Sequence, residues 1–158
     1  MKAAVITVST SRAAGEGEDE SGPALAELVR TLGLELAGAE VVTDDVEAIS
    51  TRLLHWADEE GCALILTSGG TGFAPNDVTP EATRAVIDRE APGIGEAMRI
   101  ASRAHTENWL LTRAIGGIRG RTLIVNFPGR PAAIRETAGT LVPALPHALA
   151  LLGGPHPH

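Results

Sequence analysis

Short, continuous apolar runs alternate along the chain with longer amphipathic stretches, and that rhythm predicts its elements. Lys2 to Val8 is apolar and β-branched without a polar face, which predicts a strand buried on both sides of a parallel sheet. Residues 9 to 20 turn polar and glycine-containing and read as a loop. From about Ser21, Leu25, Leu28, Val29 and Leu32 recur at helical spacing, and Gly33 stands where that helix should stop. The unit then repeats. Ala39 to Val42 reads as a strand end, and Asp44 or Asp45 as the cap of a helix carrying Val46, Ile49, Leu53 and Trp56, ended by Gly61. Ala63 to Thr67 reads as the third strand. Thr79-Pro80-Glu81 puts a capping residue before a proline at the first helical position. Pro92 breaks that helix, and Gly93 to His105 reads as another. Thr112 to Ile118 and Thr122 to Phe127, split by Arg119-Gly120-Arg121, predict a hairpin-like pair of strands. Pro131 to Leu152 is rich in Ala and Leu and reads as helix divided by Pro143 and Pro146, with fraying from Gly153 onward.

Strands alternating with helices imply the α/β class, specifically a three-layer, mostly parallel sheet with helices on both faces and ligands bound beyond the carboxyl ends of the strands. No repeat, linker or low-complexity stretch divides residues 1–158, which therefore read as a single domain.

Composition narrows the function. The hydrophobic residues are mostly aliphatic, with 2 Trp, 2 Phe and no Tyr, which disfavours the aromatic stacking platforms of single-strand nucleic-acid binders. A net charge of -7 argues against a general nucleic-acid partner or a membrane surface, although local anion binding stays open. Cys62 is the only cysteine, so there is no internal disulfide and no cysteine-cluster zinc site, and its apolar context predicts a buried, inert thiol. No signal peptide opens the chain and no apolar stretch reaches the ~18 residues of a membrane span, so the expectation is a soluble, cytoplasmic protein.

The chemistry-bearing residues fall at the predicted strand ends. Thr67-Ser68-Gly69-Gly70-Thr71-Gly72 follows the third strand; its glycines let the backbone approach an anion and aim several N–H groups at one point, and Ser68 and Thr71 add hydroxyls. It is neither a Walker A loop nor a G-x-G-x-x-G fingerprint, so alone it reads as readily as a plain turn. Asp77-Val78-Thr79-Pro80-Glu81 adds a carboxylate beside it and a helix N-terminus. A carboxylate repels phosphate unless a cation lies between them, and Mg²⁺ is typically held by one or two carboxylates plus substrate phosphates. Asp77 is thus a candidate metal ligand; the alternative is a capping or loop-ordering acid. Asp44 is a second candidate at the same edge, with the N-cap as its alternative. Val125-Asn126-Phe127-Pro128-Gly129-Arg130-Pro131 runs from a strand through a turn to a helix start that could hold another anionic group, or be only a turn. His55, His105, His147, His156 and His158 show no ligand spacing, and no Ser-His-Asp arrangement can be assigned.

Taken together, the 67–72 loop, Asp77-Val78-Thr79-Pro80-Glu81-Ala82, Pro92-Gly93-Ile94-Gly95-Glu96 and Pro128-Gly129-Arg130-Pro131 resemble the molybdenum cofactor biosynthesis MogA/MoaB family. The resemblance spans essentially the whole chain, including Ser21-Gly22-Pro23 and Leu145-Pro146-His147-Ala148-Leu149. It implies a molybdopterin adenylyltransferase: the terminal phosphate of molybdopterin attacks the α-phosphate of Mg-ATP, giving adenylylated molybdopterin and pyrophosphate. It further implies that Asp77 and Asp44 hold Mg²⁺ and support transfer, and that Ser9, Thr67, Ser68, Gly69, Gly70, Thr71, Gly72, Pro128 and Gly129 bind substrate. A homotrimer or homohexamer and hand-over to a molybdate-inserting protein are also implied. The competing expectation is a non-catalytic molybdopterin-binding or assembly protein of the same pathway. An already anionic attacking phosphate needs positioning and charge neutralisation more than a general base, so the lack of a histidine base is no objection. One departure is Thr10, in the place where many relatives carry Asp.

Overall fold

The structure is a computed structural model that describes residues 1–155; the expectations for His156 and His158 fall outside them. Six strands, β1 (Lys2–Val8), β2 (Glu35–Val42), β3 (Leu64–Ser68), β4 (Arg89–Glu90), β5 (Gly116–Arg119) and β6 (Thr122–Phe127), form one sheet in the order β2-β1-β3-β6-β5-β4. The first four in that order run parallel, while β5 and β4 pair antiparallel at one edge. Among the described residues seven α-helices accompany them: α1 (Thr10–Ala13), α2 (Ser21–Thr31), α3 (Val46–Leu54), α4 (Thr79–Val86), α5 (Pro92–Ser102), α6 (Pro131–Leu141) and α7 (Leu145–Gly153).

Side-chain alternation on the central strands builds the three layers. Val5, Leu64, Leu66, Leu123, Val125 and Phe127 face a core shared with Leu25 and Val29 of α2, Met98 of α5, Ile134 of α6 and Leu149 of α7. Ala4, Ile6, Ile65 and Ile124 face the opposite core, against Ile49 and Leu53 of α3 and Val86 of α4, where Cys62 is also buried. Cys62 is buried as expected, and that burial raises its thiol pKa, which disfavours the reactive thiolate.

Local chemistry moved several boundaries. The stretch expected to be a loop after β1 contains α1, because the Ser9 side chain accepts from Arg12 N at 3.3 Å and Asp44 accepts from Thr10 N at 2.8 Å. Between the two possible caps of α3, Asp45 takes the role, accepting from Ala48 N at 2.8 Å. Thr79 is the first residue of α4 rather than its cap, its hydroxyl donating to Gly69 O at 2.8 Å. The C-terminal helical stretch is divided as expected, with Pro143 in the break between α6 and α7 and Pro146 in the first turn of α7, which runs on to Gly153. A 3-10 turn forms at Glu107–Leu111, where the Thr106 side chain accepts from Asn108 N at 3.1 Å, and the charged strand β4 carries no apolar signal; β4 forms because Asp88 N and Ala91 N donate to Ile118 O and Gly116 O, at 2.7 and 2.9 Å.

Beneath the glycine loop lies a buried polar joint. Asn126 of β6, fully buried, donates from Nδ2 to Thr67 Oγ1 of β3 and to Thr83 Oγ1 of α4, each at 3.0 Å. Asn126→Ala removes both bonds and leaves two buried hydroxyls short of a partner, so it should lower unfolding free energy by about 2 kcal/mol in urea titration.

Candidate active site at the switch point

Strand β1 leads through α2 to β2 on one side, and the chain then crosses to β3 on the other, so the strand order reverses between β1 and β3. Such a switch point opens a crevice beyond the carboxyl ends of the two strands. A cleft of about 220 Å³ lies there, lined by Thr7, Val8 and Ser9 from β1 and its end, Ser68 and Gly69 from β3, Gly129 after β6, and Arg12, Glu18, Asp19 and Ser21 around the mouth. That volume is below the ~300–1,000 Å³ of a whole-ligand pocket, so the cleft suits one end of a ligand. Ser9 and Ser11 also line a neighbouring hollow with Thr10, Asp44 and Asn76, which offers room for the remainder.

Several features explain why the cleft is open at its floor. Gly69 has φ +89°, and a side-chain carbon there would sit 2.3 Å from Val8 O. Gly70, at φ +65°, faces Thr79, whose backbone N donates to Gly70 O at 3.0 Å. Only glycine adopts these conformations cheaply. The Gly69 amide donates to Phe127 O at 3.2 Å, but among the described residues the amides of Gly70, Thr71, Gly72 and Phe73 donate to no protein acceptor. Ser68 Oγ, fully buried and lining the cleft, also lacks any partner among the described residues. Unused donors at a strand end are what an anion requires.

The expected residues divide accordingly. Ser9, Ser68, Gly69 and Gly129 line the cleft, and Asp44 with Ser9 lines the adjoining hollow. Thr67, Gly70, Thr71, Gly72 and Pro128 line neither: Thr67 is wholly buried against Asn126, and Thr71 gives its carbonyl to Arg113 N at 2.7 Å. Asp77 stands next in sequence to Asn76 of the hollow, half-buried, with Oδ2 accepting from Ala74 N at 2.9 Å. Thr10 donates to Asp44 Oδ2 from both its amide, at 2.8 Å, and its hydroxyl, at 2.9 Å. In the described residues, Oδ1 of both aspartates accepts no hydrogen bond.

These two free carboxylate oxygens are hard donors of the kind Mg²⁺ takes. No group of three His, Cys, Asp or Glu side chains among the described residues is placed to hold a metal. Two carboxylates are too few for a protein-only cage, so a Mg²⁺ bound by them would need ligand phosphates and water to complete its coordination. Sequence reasoning missed Asp19 and Ser21. Asp19 Oδ1 accepts from Ser21 N and Gly22 N at 3.1 and 3.0 Å, its Oδ2 accepts from Thr7 Oγ1 at 2.9 Å, and Ser21 Oγ donates to Gly129 O at 2.5 Å. The Asp-x-Ser-Gly spacing just before an amphipathic helix was the available signal.

On the far side of the loop, the Arg113 guanidinium pairs with Glu81, and that hydrogen bond holds the Glu81 carboxyl below the ordinary glutamate range against the opposing effect of desolvation. A depressed folded-state pKa gives stability that is full above the unfolded value of about 4.3 and is lost as pH falls through the folded value. The stability difference between wild type and Glu81→Gln, followed by urea titration at a series of pH values, should accordingly shrink on acidification below about pH 4.3.

Fold and site thus define a doubly wound α/β protein with a polar, donor-rich cleft at its switch point. Residues 4–147 match the family described as "Probable molybdopterin binding domain", and the chain belongs to that family. A Helicobacter pylori (strain J99) molybdopterin adenylyltransferase is 38% identical over 152 residues, covering 95% of this chain and 86% of that protein. The Drosophila melanogaster molybdenum cofactor synthesis protein cinnamon is 39% identical over 94% of this chain, which spans only 25% of that longer protein. Among solved structures, the molybdopterin biosynthesis enzyme MoaB of Thermus thermophilus superposes with TM-score 0.91 at 45% identity, covering 98% of this chain and 97% of its own.

Proposed function

We propose that the chain is a molybdopterin adenylyltransferase that joins AMP from ATP to the terminal phosphate of molybdopterin. A phosphate oxygen of molybdopterin forms a bond to the α-phosphorus of ATP, the bond from that phosphorus to the bridging α,β oxygen breaks, and pyrophosphate leaves. The observation that carries this assignment is the buried Ser68 hydroxyl, which lines the cleft at the end of β3 and has no partner among the described residues, a donor left for a phosphate oxygen. The relatives named for this activity support it.

Ser9, Ser68, Gly69 and Gly129 bind the phosphorylated end of a substrate in the cleft, while Thr67, Gly70, Thr71, Gly72 and Pro128 shape the loop and turn that present them. Asp44 and Asp77 would hold Mg²⁺, which when bound would supply positive charge to offset that of the phosphates. Glu18, Asp19 and Glu20 make the mouth acidic, with Arg12 as the one basic residue among the described residues that line it, which favours a phosphate that arrives with a cation. The chain's residues act by alignment and charge placement, since the attacking oxygen needs no deprotonation. Residues 1–158 act as one unit, in the cytoplasm, as a homotrimer or homohexamer that hands its product to a molybdate-inserting protein. Label in the α-phosphate of ATP should pass to the pterin only when Mg²⁺ and molybdopterin are both present; label released as free AMP without pterin would refute the assignment.

A further inference from the structure

Arg113 sits just ahead of β5 and lines neither hollow of the site, yet it holds the segment from Gly72 to Asp77 at both ends. Its Nε donates to Gly72 O at 2.7 Å and its Nη2 to Asp77 O at 2.6 Å, across 36 residues of sequence. Its backbone N–H holds Thr71 O at 2.7 Å, and the guanidinium also engages the Glu81 carboxylate in the first turn of α4. Phe73 to Asn76 are exposed, and the segment's own bonds are the exchange between Ala74 and Asp77, each 2.9 Å. Among the described residues, no other group outside residues 72–77 makes a hydrogen bond to them.

We propose that Arg113 is a positioning residue for Asp77, fixing the carboxylate in place by clamping the Gly72 and Asp77 carbonyls with one planar guanidinium. The proposal rests on the adenylyltransferase assignment. Arg113 touches neither the cleft nor the hollow, so its effect on a reaction there passes through the segment it holds. A lysine would keep the charge but lose the fork that reaches two carbonyls and a carboxylate at once.

Arg113→Gln, Arg113→Lys, Asp77→Asn and Arg113→Gln/Asp77→Asn are compared in full-length protein, with Mg-ATP and molybdopterin as substrates. Arg113→Gln should lower kcat by on the order of a hundredfold, and Arg113→Lys should not restore it. In the Asp77→Asn background the same change should cost less than about twofold more, because the clamp then has no carboxylate left to place. Amide hydrogen exchange supplies a readout that needs no pterin: the Asp77 N–H should exchange about tenfold faster in Arg113→Gln, with the amides of β1 and β3 unchanged. A loss that multiplies in the double variant, full recovery by lysine, or unchanged exchange at Asp77 would overturn the proposal. If the unmodified chain forms no adenylylated pterin, the activity assignment fails, and the exchange rates alone decide the clamp.

Discussion

Asp77→Asn should lower pyrophosphate release from Mg-ATP and molybdopterin by on the order of a thousandfold while the protein stays folded. The separation of effects follows from the geometry. Asp77 Oδ2 accepts from Ala74 N, a bond that an asparagine carbonyl oxygen can still accept, so the loop keeps its shape. What disappears is the negative charge and the hard oxygen donor. Raising Mg²⁺ should not restore kcat, and the thermal midpoint should move by only a few degrees. Turnover equal to that of the unmodified chain would remove Asp77 from the chemistry.

Gly69→Ala should be nearly as damaging by a different route, through the backbone. At φ +89° an alanine is strained by about 1–2 kcal/mol. Its methyl group would also sit 2.3 Å from Val8 O, a main-chain atom that cannot move without shifting the end of β1 and Ser9 with it. Overpacking of this kind adds about 1–3 kcal/mol, for a combined loss of stability near 3 kcal/mol. Because the displaced atoms line the cleft, product formation should fall with stability. Gly139→Ala in α6 is the matched control: its added carbon meets nothing within 4 Å, so it should stabilise by about 0.5–1 kcal/mol in the same urea titration and leave turnover intact.

The strands and the helices against them were readable because burial on both faces leaves an unbroken apolar run, as in Ala3-Ala4-Val5-Ile6 and Leu64-Ile65-Leu66. The hairpin of β5 and β6 was readable for a similar reason, with Gly120 at φ +54° supplying the turn. Arg89–Glu90 could not be found in this way, since two charged residues form a strand only because the Ile118 and Gly116 carbonyls face them. At the site, sequence order placed Ser9, Asp44, Ser68 and Gly129 at one sheet edge, and the ends of four strands, β1, β2, β3 and β6, converge there as the α/β rule requires. Which of the adjacent Asp44 and Asp45 turns inward was not legible, because both can cap a helix; the bond from Thr10 decides it. Arg113 was invisible for a physical reason: its partners at Gly72, Asp77 and Glu81 are main-chain carbonyls and a surface acid brought near only by the fold.

We propose that the cleft between β1 and β3 joins two phosphorylated substrates. Its most direct test is mass spectrometry of the pterin recovered after incubating the purified chain with molybdopterin and Mg-ATP. The expected product is molybdopterin carrying one added AMP, with one pyrophosphate released per pterin converted. Molybdopterin bound tightly but recovered unchanged after incubation with Mg-ATP would contradict it and identify a pterin-binding protein without transferase activity.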